Sequence, residues 1–290
     1  MRPAALFFTA LLAAPLGAET TVDQRRPAAP DGLVDIENMA GSIRVTGWDK
    51  AEIAITGRLG RNASGLEFSG GPNRTRIEVE VEGNPHGVNS DLDIKVPAGS
   101  RLSVEGFQAT ITITGVTGTV KAETVNGAIS LTGGAKDVDL QAVNGAVEVT
   151  KATGRIKAES VNGPVTVRDS SGELEASTVN GPLVVTGGSW ERVSIETVSG
   201  SLRFEGGLSR HSALDAETVS GSAEFMLASD LGADFQLSTF SGDIDNELGP
   251  APTRHSKWTT EKELSFSLGG GGAKISVQTL SGSIRLRKRP

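Results

Sequence analysis

Three histidines, His86, His211 and His255, are the only imidazoles in a chain of 290 residues that has no cysteine. They stand far apart in sequence. None belongs to a spaced metal motif such as His-Glu-x-x-His, so each reads as a surface or turn residue and no metal site is expected. The lack of cysteine excludes a disulfide framework, a Cys-based metal site and a lipidated N-terminal Cys. No Gly-x-Ser-x-Gly elbow, P-loop or dinucleotide fingerprint occurs. The run "LGGGGAK" at 268–274 therefore reads as a loose turn. Calcium-binding nonapeptide coils need Gly-Gly-x-Gly-x-Asp, and the pairs Gly133-Gly134 and Gly187-Gly188 lack the rest. No catalytic residue and no cofactor is expected. Asn62-Ala63-Ser64 and Asn73-Arg74-Thr75 match glycosylation triplets, which are common by chance.

The composition narrows the partners. The formal net charge is −7. That argues against nucleic acid, because phosphate binding wants a basic face. Acidic residues are dispersed along the chain, as on a solvated face. With 37 glycines and 4 % aromatics, the chain suits many turns and thin layers better than large helical packing. At the N-terminus Arg2 precedes an apolar run from Ala4 to Leu16, and Gly17-Ala18 follow before Glu19. This is the pattern of a secretory signal peptide over 1–18, too short for a membrane span. No later segment approaches the roughly 18 consecutive apolar residues of a span, so no transmembrane segment is expected. The mature chain is expected to be exported to the periplasm or the extracellular space.

What positions any site is a repeat. Val-Asn-Gly recurs at 125–127, 143–145, 161–163 and 179–181, each step eighteen residues. Val198-Ser199-Gly200 follows after nineteen, then Val219-Ser220-Gly221 and Phe240-Ser241-Gly242 after twenty-one each. Leu280-Ser281-Gly282 comes forty later. Apolar pairs two apart flank each corner, such as Val120/Ala122 before it and Ile129/Leu131 after it. That is strand periodicity. Each period thus holds two short strands, one Asn-Gly corner and one variable Gly-rich turn such as "TKATG" or "RDSSG". An antiparallel meander gives no reason for like residues to return on every second strand. A β-solenoid does, because equivalent positions stack about 4.8 Å apart.

The expected fold is therefore all-β, a β-solenoid or β-helix with about 18-residue coils. Asn126, Asn144, Asn162 and Asn180 are expected to form an Asn ladder. Gly127, Gly145, Gly163 and Gly181 complete the corners, where Asn and Gly tolerate left-handed backbone angles. Val125, Val143, Val161, Val179, Val198, Val219, Phe240 and Leu280 are expected as a core ladder beside it. An outward column, Lys121, Asp139, Lys157 and Glu175, alternates in sign, which favours stacking between rungs.

The organisation expected is a signal peptide at 1–18 and a flexible N-terminus at 19–30. Irregular N-terminal coils follow at 31–100, with Ile53/Ile55 starting a coil and an insertion, or longer strands, at 58–90, where "RIEVEVEG" alternates as a strand. A regular solenoid spans 101–245, and irregular C-terminal coils with a cap span 246–290. Arg285, Arg287, Lys288 and Arg289 read as a charged cap that blunts an open edge.

The stretches "GSIRVTGWDKAEIAITG" and "DLDIKVPAGSRLSVEGF", with the serial VNG and VSG corners, resemble the putative-adhesin family. These are bacterial β-strand-repeat domains of unknown function, mostly exported or envelope-associated. The resemblance spans nearly the whole mature chain. It implies a single-stranded β-helix-like fold, right-handed, and an adhesive or scaffolding role toward an envelope protein or glycan. It brings no catalytic residues. A polysaccharide-cleaving β-helix enzyme is the rival reading; it needs converging carboxylates under long loops, and only 58–90 and 246–263 could supply them. An ice-binding solenoid is suggested by Thr110, Thr112 and Thr114 alone, and a plain structural spacer remains open. If a contact surface exists, the expected strip follows the Asn-Gly corner: Ala128, Ala146, Pro164, Pro182 and Val184. Pro stiffening a cramped turn is the competing explanation of that row.

Overall fold

The computed structural model of the chain describes residues 20–81, 88–134, 136–254 and 260–289. These residues form 23 strands joined in one long, largely parallel sheet of solenoid-like form, with no helix among them. The alternation of side chains along each strand builds the core. On the strand before the corner, Val120 stacks on Val138, Ile156, Leu174, Val193 and Leu214 in parallel register. After the corner, Ile129 stacks on Val147, Val165, Leu183 and Leu202. All of these are buried. A slip of one residue would turn every one of them to solvent, so the register is strongly fixed.

The corner works differently from the expectation. Gly127, Gly145, Gly163 and Gly181 have no left-handed backbone angle. They are glycines because the rungs approach too closely for a side chain. A Cβ on Gly145 would lie 1.7 Å from the carbonyl oxygen of Gly127, and one on Gly163 would lie 2.0 Å from that of Gly145. The left-handed positions fall at the other turn instead, eighteen apart: Gly115, Gly133, Lys151, Asp169 and Gly187.

Beside the glycines the four asparagines stack. Asn144 donates from Nδ2 to Asn126 Oδ1, Asn162 to Asn144 and Asn180 to Asn162, each at 2.8 Å. A hydroxyl column that the sequence reading did not single out lies buried two residues before them. Thr124, Ser160 and Thr178 donate to the carbonyls of Ala109, Gly145 and Gly163 at 3.0, 2.8 and 3.0 Å. These hydroxyls satisfy acceptors that the sharp corner takes out of the ladder.

Both ends depart from sequence order. The strand Leu33–Trp48 pairs in parallel with Arg101–Thr114 on one side. On its other side lie Arg74–Val81 and Ser90–Pro97. The described residues of 58–90, expected as an insertion or as longer strands, thus form strands, and Arg74–Val81 supplies part of a parallel rung. Antiparallel strands close this end: Ala63–Gly71 on Arg74–Val81, and Glu52–Leu59 on Ser90–Pro97. Ile53 and Ile55, expected to begin a coil, belong to that closure. The stretch expected as a flexible N-terminus forms the strand Thr20–Pro27 against Glu52–Leu59 and buries Val22.

At the other end, Ala273–Ser281 and Ile284–Lys288 do not form the edge. They slot between Leu202–Ser220 with Ala223–Leu227 on one side and Ala233–Thr239 with Ile244–Asn246 on the other. The basic C-terminal residues are therefore no edge cap. Arg287 pairs with Asp245 and Glu247 of the next rung, both at 2.7 Å. The closing strand is Lys262–Leu268, antiparallel to Ala233–Thr239, with the Phe266 ring stacked on Phe235 at 4.6 Å.

This architecture makes four expectations measurable by thermal or denaturant unfolding. Gly145→Ala lowers stability by about 1–3 kcal/mol, the cost of forcing a carbonyl away. Lys151→Gly, which relieves a left-handed lysine, leaves stability unchanged or raises it by up to about 1 kcal/mol. Asn144→Ala loses two amide bonds and Asn180→Ala one, at about 0.5–1.5 kcal/mol each, so the first loss is about twice the second. Deleting 269–290 removes an interior rung with Ala273, Ile275, Val277, Ile284 and Leu286 buried in it. At about 1.5–3 kcal/mol for each large side chain, that rivals the total stability of a domain, so cooperative melting disappears. A solenoid shortened only at its edge would still melt cooperatively near the original temperature.

Candidate functional site

The residues expected as a core ladder point outward. Parity explains it: with Val120 and Ala122 facing in, Thr124 faces in and Val125 faces out. Hydrophobicity at that position does not override the two-residue period. Met39, Phe107, Val143, Val161, Val179, Val198, Val219, Leu280 and Phe240 are each exposed at 38–58 %, and Val125 is half-buried. Ladder bonds run directly through this column, from Asn126 N to Phe107 O and from Asn144 N to Val125 O, both at 2.8 Å. The column thus carries one apolar side chain per rung over ten rungs. At about 4.8 Å per step, it is about 43 Å long.

Two residues earlier on the same outer face runs a second column. Glu37, Glu105, Glu123, Glu159, Glu196 and Glu217 occupy six of its ten positions, with Gln141, Ser177, Gln278 and Ser238 in the others. Between the two columns lies the floor of buried hydroxyls and small residues, including Thr124, Ala142, Ser160 and Thr178. The result is a shallow groove of three depressions of about 450, 470 and 530 Å³. The first two share Glu105 and Phe107's neighbour Gly106, and the last two share Ser177 and Val179, so they join end to end.

No Lys or Arg lines this groove among the described residues. Four of its carboxylates are ion-paired from outside: Lys121 to Glu123 at 2.7 Å, Lys157 to Glu159 at 3.2 Å, and Arg76 to Glu37 at 3.0 Å and to Glu78 at 2.9 Å. Glu105, Glu196 and Glu217 make no ion pair among the described residues. Partial burial lifts the Glu37 carboxyl above its ordinary range; Arg76 opposes this, and Glu78, Glu105 and Asp35 add to it. The Lys121 ammonium is held above its usual range first by its hydrogen bond to Glu123, with Asp139 a lesser influence. The lysines of the alternating column thus pair chiefly along their own strand, although Asp139 does stack between Lys121 and Lys157.

The expected contact strip is smaller. Ala128 and Ala146 are half-buried, while Pro164 and Pro182 are exposed. Their carbonyls accept from Ile111, Ile129, Val147 and Val165 at 2.9–3.0 Å. The amides of Ala128 and Ala146 donate no backbone bond, so proline fits the column without losing one. In the next column Val184 lies between Thr166 and Arg203, so no second apolar row runs beside the first. Another depression, of about 890 Å³, carries Arg192, Asp215, Asp234 and Lys274, so it has no single sign of charge. His211 is exposed, and His86 and His255 lie outside the described residues. Among the described residues no group of three His, Asp or Glu side chains is placed to hold a metal. The loop 246–263 includes 255–259, also outside the described residues.

No curated protein matches the sequence. The fold is similar to the crystal structure of a putative adhesin from Parabacteroides distasonis ATCC 8503. The TM-score is 0.55 at 10 % identity, over 92 % of this chain and 97 % of that one. A putative adhesin from Bacteroides fragilis NCTC 9343 gives a TM-score of 0.44 at 11 % identity, over 93 % and 98 % of the two chains. A putative lipid binding protein from Parabacteroides distasonis ATCC 8503 gives 0.43 at 13 %, over 93 % and 98 %. At 10 % identity the likeness to the first of these concerns the fold alone. The Toastrack DUF4097 family matches residues 34–287, most of the chain, and the chain belongs to that family.

Proposed function

We propose that the chain is a non-catalytic, adhesin-like binding or scaffolding protein of the bacterial envelope, exported by the segment 1–18. The observation that carries this reading is the exposed apolar column. Nine large side chains in line, each 38–58 % exposed, form a contiguous row of the kind that marks contact surfaces on soluble proteins. The regular corners leave short turns, with little chain for the roof of loops that glycoside cleavage requires. Membership of a family without a catalytic assignment, and likeness to adhesins in fold, support the same view.

The test is capture of envelope components by the immobilised mature chain, with a glycan array in parallel. Val179→Gln with Val198→Gln is expected to abolish capture. Pro164→Glu with Val184→Glu, on the neighbouring face, is expected to leave it intact. Polysaccharide and generic hydrolase substrates are expected to show no turnover. Turnover by the purified chain, or capture lost only in the Pro164/Val184 variant, would overturn this assignment of function to the groove. No capture by any form would leave a structural spacer.

A further inference from the structure

We propose that the groove binds an extended polypeptide in which basic and apolar residues alternate, lying along the solenoid axis and across its strands. The proposal rests on the binding reading above and names its ligand.

The groove's cross-section selects an extended chain. Its two walls stand two residues apart on one strand, which is about 6.6–7 Å. An α-helix is about 10–12 Å across with its side chains and cannot enter. An extended chain sends alternate side chains to opposite sides. Lying in the groove, it would turn one set toward the apolar column and the other toward the acidic column. The alternation of the ligand is thus read by two parallel walls of different chemistry. A groove about 43 Å long takes about 13 extended residues.

Charge selects a basic ligand. Among the described residues, Glu105, Glu196 and Glu217 face the groove without an ion pair, and no Lys or Arg lines it. Ammonium or guanidinium groups placed along that wall meet complementary charge, which steers encounter and fixes register. Other occupants fit less well. A second copy would bring the same acidic wall against itself. An anionic lipid surface would be repelled. A glycan stacking on aromatic faces would find, among the described residues, only Phe107 and Phe240, near opposite ends. Because the groove crosses the strands, the ligand does not extend the sheet, and the side-chain walls supply the recognition.

The experiment uses the mature chain and a labelled synthetic peptide of about 13 alternating Lys and Val residues. Its controls are a block peptide of the same composition and an alternating Asp-Val peptide, read by fluorescence anisotropy at several salt concentrations. The alternating Lys-Val peptide is expected to bind, and both controls to bind at least about tenfold more weakly. Glu105→Gln/Glu196→Gln/Glu217→Gln is expected to weaken binding about tenfold or more and to flatten its salt dependence. Val161→Thr/Val179→Thr/Val198→Thr, nearly isosteric and strand-compatible, is expected to weaken binding similarly without altering the salt dependence. Both triple variants should melt as the parent does. Equal binding of the block peptide, or an unaffected valine variant, would reduce the effect to net charge and overturn the proposal. A glycan bound by the parent and lost in the valine variant would overturn the ligand class while sparing the binding reading. A dimer in sedimentation equilibrium that the valine variant dissociates would assign the face to a second copy instead.

Discussion

One contact governs this molecule: the carbonyl oxygen of each corner glycine occupies the space where the next corner's side chain would begin. The gap that a Cβ would have to fit is 1.7 Å at Gly145 and 1.9 Å at Gly200. Such closeness brings successive corners into stacking register, and the rest follows from that register. Asn amides fall within 2.8 Å of one another, and buried hydroxyls reach the carbonyls of the rung before. The parallel ladders then extend the register along both strands of each coil. A bulkier corner would open the rungs, and the amide chain would break with them.

The same register makes columns out of single residues. A lone valine with 40 % exposure is ordinary on any protein surface. Repeated on successive rungs, it becomes a row, and the glutamate two residues earlier becomes a wall. The groove therefore requires no dedicated loop or domain. It is the surface expression of a repeat whose corner demands glycine. The position before the glycine is Asn at four successive corners and Ser at later ones, because both can stand at a stacked corner, yet only Asn bonds to its own kind over several rungs. Where Ser199, Ser220, Ser241 and Ser281 replace it, the amide chain ends and the backbone ladder continues alone.

Much of this was legible in the sequence. The eighteen-residue spacing of Val-Asn-Gly gave the coil contents, and the flanking pairs named the core from Val120 to Leu214. The asparagine column was also readable, because identical polar residues rarely recur at one interval without touching. The valines were misread by weighting hydrophobicity above parity. Counting by twos from Val120 through Thr124 puts Val125 outside, and the recurring Ser or Thr at the inward position was the overlooked signal. The reason for glycine was misassigned for a similar cause. Left-handed angles are a local property and easily invoked, whereas a carbonyl eighteen residues away is not visible in a triplet. The ends were illegible for a stronger reason. Pairing of Leu33–Trp48 with Arg101–Thr114, and of Ala273–Ser281 with both Leu202–Ser220 and Ala233–Thr239, joins segments whose separation carries no periodic mark.

Those two departures from sequence order tie the groove to the stability of the ends. Along the groove the apolar column runs from Met39 to Phe107 at one end, and from Val219 through Leu280 to Phe240 at the other. Met39 and Phe107 are neighbours only because Leu33–Trp48 sits against Arg101–Thr114. Val219 and Phe240 are bridged only because the C-terminal rung enters between them. Each insertion also converts a terminal segment, normally the first to fray, into an interior rung paired on both sides. The antiparallel closures then cover the exposed edges, where an open parallel rung would invite pairing with another chain. A continuous apolar wall and terminal segments paired on both sides are thus the same structural fact. Any change that releases the C-terminal rung must interrupt the groove between Val219 and Phe240 before it disturbs the regular coils at Val143 and Val161.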